Sequence, residues 1–271
     1  MSKTEFIKTK EGESALRMRG TETFQFRQRW NGVSFESGVQ SMNCVILQPS
    51  YIPWKGYFHQ IQKADVFVFY DDVQYDKHGW RNRNRIKTRQ GPEWLTIPVL
   101  STGAVSKGMP INEVHICWDR NWNQVHQRSI SNNYSKAPFF DRYRPIIETW
   151  YAQQPDLLAD FTIDTTIQLA RELGIQHTRF VRSSTLGCTG TKTDRLVEIL
   201  LKVGATHYIS GPAAKDYLET EKLDNHGITV EWMAYEYPEY PQLFPPFEHG
   251  VSMIDLLLNV GVNAQRYLKS F

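Results

Sequence analysis

The chain has 271 residues, enough for one large domain or two small ones, and its 41% hydrophobic content excludes disorder over most of its length. Its 31 Lys and Arg nearly balance 29 Asp and Glu, so no global basic field invites nucleic acid and any electrostatic site must be local. Three scattered cysteines, Cys44, Cys117 and Cys188, form no CxxC, which excludes a disulfide framework and a Cys-rich zinc site.

Residues 1–41 are charged, dotted with Gly and Ser, and show no sustained period of 2 or 3.6. They are expected to form a disordered or loosely docked extension, with Met42 a candidate native start. Val45–Leu47 and Val66–Tyr70 are apolar runs, the second rich in β-branched and aromatic residues, and read as strands. Gly56–Lys63 between them spans about two helical turns, giving a βαβ unit with parallel strands. Residues 79–100 read as a hairpin turning at "QGPE". Residues 101–140 are loop-rich, with a strand candidate at Glu113–Cys117 and a helix from Asn121 to Ser131. Pro145–Trp150 and Asp156–Leu173 read as helices, the second stopped by Gly174.

Then come a strand in "TRFVRSS", a helix in "GTKTDRLVEILLKVGA" and a strand in "THYISG". The helix has Thr191 or Thr193 as N-cap and Gly204 as terminator. A helical turn "AAKDYL", a strand "ITVEWMAY" and a last helix "SMIDLLLNVG" complete the series. The pattern predicts an α/β domain over 42–262, with a parallel sheet, an inserted hairpin and a helix-rich second half. A C-terminal tail occupies 263–271.

Several stretches carry candidate chemistry. The turn "QPSYIPWKGY" after the first strand packs two prolines, two tyrosines, a tryptophan and a glycine into ten residues. Gln48 opens it. Gly56 at a helix start lets backbone approach a ligand, and the free N–H groups there favour an anion. Tyr51, Trp54 and Tyr57 offer flat faces with polar tips, as a sugar or nucleobase would use; the alternative is that such rings only fill the core. Asp71, Asp72 and Gln74 follow the second strand, on the side where open α/β sheets bind ligands. A carboxylate there could act as general base or hold a metal; otherwise it caps a turn. Strand alternation sends the adjacent aspartates to opposite sides, so at most one is catalytic. His78 is the best-placed histidine for proton transfer.

In "RNRNRIK" the alternation puts Arg81, Arg83, Arg85 and Lys87 on one strand face and Asn82, Asn84 and Ile86 on the other. A row of guanidinium groups suits phosphate or carboxylate, although a charged, solvated edge strand is the plainer reading. "GTKTD" brings Lys192 and Thr193 to a helix start, and "YISGPAAKDYL" brings Ser210, Gly211 and Tyr217 to another strand-to-helix turn. Eight histidines form no HxH or HExxH, so no metal is assigned. No cofactor follows from these residues. No apolar run approaches the roughly 20 residues of a membrane span, and no secretory h-region precedes the domain; a cytoplasmic protein is expected.

Taken together and in order, "QPSYIPWKGYFHQIQKADVFVFYDDVQY", "RNRIKT" with "WLTIPV", "GTKTDRL", "YISGPAAKDYL" and "SMIDLLLNVG" resemble the WbqC-like protein family. The resemblance covers 43–262 and implies a place in bacterial surface-polysaccharide (O-antigen, lipopolysaccharide) biosynthesis. The first βαβ unit is also remotely similar to HIGH-type nucleotidylyltransferases, which implies a Rossmann-like sheet of that type. There "WKGY" sets Tyr57 where those enzymes have a histidine on ATP phosphate, which argues against adenylyl chemistry. The expected ligand is a nucleotide-linked sugar or another phosphate-bearing small molecule, with nucleic acid disfavoured. The expected reaction is transfer of an acyl or aminoacyl group onto a nucleotide-linked amino sugar. Nucleotidyl transfer to a phosphorylated small molecule and a non-catalytic module binding RNA or a partner protein are the alternatives.

Overall fold

The computed structural model describes residues 29–30, 33–34, 41–77, 79–100 and 108–268. Two short strands, β1 (Arg29–Trp30) and β2 (Val33–Ser34), pair antiparallel. The rest of the extension expected before residue 41 lies outside the described residues, as does His78.

Next, β3 (Asn43–Leu47), α1 (Lys55–Lys63) and β4 (Val66–Phe69) form the expected parallel βαβ unit, with Val45 paired to Phe67. Alternate residues of its strands enter two different cores. Val45, Phe67 and Phe69 pack with Tyr57, Phe58 and Ile61 on one face. Cys44, Ile46, Val66 and Val68 pack with Leu196, Ile199 and Leu200 on the other. Because both faces are covered, the strands read as unbroken apolar runs.

The hairpin of β5 (Arg83–Thr88) and β6 (Gly91–Thr96) is a sheet of its own. It turns at Arg89 and Gln90, with Thr88 opposite Gly91, so the turn comes earlier than "QGPE" suggests. The strand expected at Glu113–Cys117 is not a ladder. Ile111–Glu113 form a 3-10 turn, and His115 and Ile116 each make a single bridge, to Leu157 and Val99. A segment whose neighbours change residue by residue cannot build a ladder.

Helices α2 (Trp122–Tyr134), α3 (Phe140–Gln153) and α4 (Leu158–Glu172) follow, α2 and α3 extending beyond their expected ends and Pro145 lying inside α3. Then β7 (Arg179–Arg182), α5 (Lys192–Val203), β8 (His207–Ser210), α6 (Thr220–Asp224) and β9 (Thr229–Trp232) alternate. Gly204, at φ +78°, ends α5 as expected. Thr191 holds the N-cap position without a side-chain cap bond. The last helix, α7 (Met253–Val260), is buried along its whole length. Residues 263–267, set apart as tail by the sequence pattern, continue a 3-10 helix, Gly261–Tyr267, with Ala264 and the following Leu268 buried.

The main sheet is fully parallel in the order β7-β4-β3-β8-β9. The chain leaves β3 in one direction to β4 and β7, then crosses back to β8 and β9. The order therefore reverses between β3 and β8, where doubly wound sheets leave a crevice at the strands' carboxyl ends. No described helix is long and apolar enough to cross a membrane.

Candidate functional site

A cavity of about 960 Å³ lies at that reversal, lined by Ile46, Leu47 and Gln48 at the end of β3, Tyr208 of β8 and Tyr70 after β4. Pockets of this size hold drug- or cofactor-sized molecules. Three further segments contribute to it. Ser50, Pro53, Trp54 and Tyr57 come from the opening turn and α1; Trp80, Arg81, Asn84 and Arg85 from the start of the hairpin; Lys192 and Leu196 from α5. Tyr217, Glu219 and Gly250 complete the wall.

The opening turn is held from inside. Ile52 sits at φ +35°, a conformation that β-branched residues rarely adopt. Asn84 Nδ2 donates to the carbonyls of Tyr51 (3.0 Å) and Ile52 (2.9 Å), fixing the turn to the hairpin. Tyr57 donates its hydroxyl to the Gln48 carbonyl at 3.1 Å, and burial raises its pKa. The Trp54 indole lies across Gly56, where an added Cβ would come within 2.3 Å of the ring. Gly56 therefore makes room for Trp54 rather than for a ligand, and it is not among the lining residues.

Arg81 is the most unusual group. Its guanidinium is largely buried, with 13% of the side chain exposed, and the nearest carboxylate, Asp76, stands 4.0 Å from Nε. Nη1 donates to the carbonyls of Gln48 (3.2 Å) and Pro49 (3.3 Å), while Nε has no hydrogen-bond acceptor. Desolvation lowers its pKa, the signature of a cation short of counter-charge. Arg85 makes no ion pair among the described residues, and its Nε also lacks an acceptor. Lys192, in the left-handed region at φ +49°, opens α5 at the cavity wall. Against these three cations Glu219 is the one lining carboxylate among the described residues; it stands 3.3 Å from Lys222.

Of the residues singled out by sequence, Gln48, Trp54, Tyr57, Arg81, Arg85, Lys192 and Tyr217 line this cavity, and the other described ones do not. Tyr51 is fully buried, its hydroxyl bonded to His126 Nδ1 (2.8 Å) and to the Tyr151 hydroxyl. Arg83 lies over the Trp94 ring, 4.5 Å from its centroid. Lys87 is buried and donates to the Pro246 carbonyl. Gln74 bridges Pro110. Thr193 accepts the Glu219 amide (3.2 Å), so it positions a lining residue from behind. Ser210 bonds the Tyr208 hydroxyl at 3.4 Å, and Gly211 packs near the Tyr235 hydroxyl.

The two aspartates have other work. Asp71 is fully buried; its oxygens accept from the Ser183 hydroxyl (3.2 Å) and the Ser184 amide (3.0 Å) and hydroxyl (2.9 Å). Asp72 accepts from Ser183 and from Arg195, whose guanidinium lies 5.6 Å from the ring of Tyr70 in the cavity wall. Alternation does not separate the pair, because β4 ends at Phe69 and both carboxylates turn to Ser183.

Trp80, Glu219 and Gly250 escaped the sequence reading, and Asn84 entered it only on the strand face opposite the arginines. Trp80 heads the arginine run and Glu219 follows Tyr217 closely, so both lay beside a recognised signal. Gly250 carried none.

The chain is 38% identical over 226 residues to a Mycobacterium tuberculosis (strain ATCC 25618 / H37Rv) protein called "Uncharacterized protein Rv1507c", covering 83% of this chain and 96% of that one. No solved structure matches it. The WbqC-like family model matches residues 48–267, a span that takes in every lining residue from Gln48 onward. By that match the chain belongs to the WbqC-like protein family.

Proposed function

We propose that the chain binds a nucleotide-linked sugar, or a similar phosphate-bearing small molecule, in this cavity and transfers a group onto it during assembly of bacterial surface polysaccharide. Arg81 carries this reading: a buried guanidinium, fixed by two carbonyls and short of counter-charge, is stabilised when an anion arrives. Arg85 and Lys192 extend the cationic wall, which suits a diphosphate better than a single carboxylate. The aromatic and hydroxyl-bearing lining suits the rings that flank such a diphosphate.

Transfer of an acyl or aminoacyl group to an amino sugar fits the same cavity. The amine nitrogen forms a bond to the acyl carbonyl carbon, and the bond from that carbon to the donor's leaving group breaks. That group departs with the bonding electron pair (a thiolate where the donor is a thioester), and the amine gives up a proton. Glu219, the lining carboxylate, takes that proton in this scheme. Asp71 and Asp72 serve the scaffold. The surface-polysaccharide setting comes from the family resemblance, and a cytoplasmic location is the expectation read from the sequence itself.

A thermal-shift screen of nucleotide sugars, CoA thioesters and ATP tests the proposal. A nucleotide sugar at a hundred times its Kd stabilises the fold by about 2.7 kcal/mol, and Arg81→Met abolishes the shift. No shift with any nucleotide sugar, or a shift indifferent to Arg81→Met, overturns it.

A further inference from the structure

A short stack of side chains ends at the cavity. The Trp80 and Trp94 ring centroids are 5.2 Å apart, with planes inclined at 35°. Arg83 stands 4.5 Å from the Trp94 centroid, so Trp94 meets both Arg83 and Trp80. Trp80 lines the cavity and Trp94 does not. The two indoles remain 42% and 44% exposed. Packing alone does not stack two large apolar rings on each other and leave both in water, since their burial is worth more elsewhere. Arg85 flanks both rings, at 5.9 and 5.7 Å, and also lines the cavity.

We propose that Trp80 is the stacking face for the heterocyclic base of a nucleotide whose phosphates meet Arg85 and Arg81. Trp94 and Arg83 are positioning residues that prop the Trp80 ring. The inference rests on the phosphate-binding reading above and narrows it: the ligand carries a nucleobase, and that end lies at the hairpin wall. A sugar ring also covers an indole face, but its hydroxyls need several hydrogen-bond partners. Asn84, the uncharged polar side chain of the hairpin that lines the cavity, is already committed. Its Nδ2 serves the Tyr51 and Ile52 carbonyls and its Oδ1 accepts the Arg85 amide. A planar base needs only the face. Every base has one, so this stack separates nucleotides from other phosphates without choosing among bases.

Calorimetric titration of the full chain with pyrophosphate, glucosamine 1-phosphate and five nucleoside diphosphates (UDP, dTDP, GDP, CDP and ADP) decides the matter. At least one nucleoside diphosphate is expected to bind about tenfold tighter than pyrophosphate. Trp80→Ala removes that advantage and leaves pyrophosphate and glucosamine 1-phosphate binding unchanged. Trp94→Ala removes part of it, and Trp94→Phe restores it. The Trp80 carbonyl, which accepts the Tyr51 amide at 3.1 Å, survives these changes, and a melting curve of each variant checks the fold. A nucleotide advantage that persists in Trp80→Ala, or none in the wild type, overturns the base assignment. A loss of glucosamine 1-phosphate binding in Trp80→Ala overturns it too, in favour of a sugar face. If pyrophosphate and every nucleotide fail to bind the wild type, the phosphate-binding reading has failed first.

Discussion

Arg85 rests directly on Gly250: a Cβ added to that glycine would come within 2.4 Å of Arg85 Nη2. The Ser252 amide, donating to the Arg85 carbonyl at 2.8 Å, holds the two segments together. Gly250→Ala therefore pushes aside the free end of a flexible side chain at the cavity wall. Nucleoside diphosphate affinity should fall about tenfold, or roughly 1.4 kcal/mol, with the melting temperature nearly unchanged. Unaltered affinity would show that the Arg85 guanidinium is not where the anion binds.

The arginines should not be equivalent. Spacing alone makes Arg83 the middle of the row, yet Arg81 and Arg85 line the cavity and Arg83 backs Trp94. Arg81→Lys keeps charge but loses the planar fork that holds two carbonyls, and should weaken pyrophosphate binding by about 2 kcal/mol. Arg83→Lys should leave pyrophosphate binding as it is. Titration of both variants distinguishes the cases, and a larger loss at Arg83 would return the anion site to the middle of the row.

Asn84 should matter to the fold more than its half-buried neighbours Arg83 and Arg85 do. It satisfies two carbonyls of a turn that contains the strained Ile52. Asn84→Ala strands both acceptors and should cost about 2–4 kcal/mol in urea denaturation. Asn84→Asp, which aims a carboxylate at two carbonyl oxygens, should cost more. A wild-type midpoint for Asn84→Asp would show that the tie contributes nothing.

Acid should unfold this protein through its buried imidazoles. Burial takes His126 from 6.5 to about 4, and His59 likewise to about 4. Below pH 6.5 the unfolded chain binds protons that the folded chain refuses, so stability present above that pH is lost on the way down to about 4. His126 alone accounts for about 3 kcal/mol of this. Lys55, packed among Tyr237, Tyr240 and Phe247, is lowered by burial to about 8. The unfolded chain again holds the extra proton, so its contribution rises with pH above about 8. Urea midpoints from pH 4 to 9 check both ends, and a flat profile between 6.5 and 4 would mean the imidazoles are charged in the fold.

The centre of the sheet was legible because burial on both faces makes β3 and β4 continuous apolar runs, and α5 because Gly204 stops it. The site was legible only in part, for a reason seen at Tyr51 and Gly56. The Tyr51 hydroxyl meets groups 75 and 100 residues away, and no local pattern tells a polar tip that will find such partners from one that will face a ligand. A glycine at a helix start likewise looks the same whether it admits a ligand or a neighbour's indole. The arginine parity was visible, but its counterpart was not: Trp94 comes opposite Arg85 only once the hairpin register is known.

The hairpin is a separate sheet set into the connection between β4 and β7. Asn82, Asn84, Ile86, Leu95 and Ile97 fasten its inner side to the core, while Arg83, Arg85 and Trp94 occupy the outer side. A lineage can therefore rewrite the outer side one residue at a time without renegotiating the parallel sheet beneath. Selection on what is bound and selection on folding fall largely on different faces of the same two strands, with the cavity-lining Asn84 and the buried Lys87 as the residues where they meet.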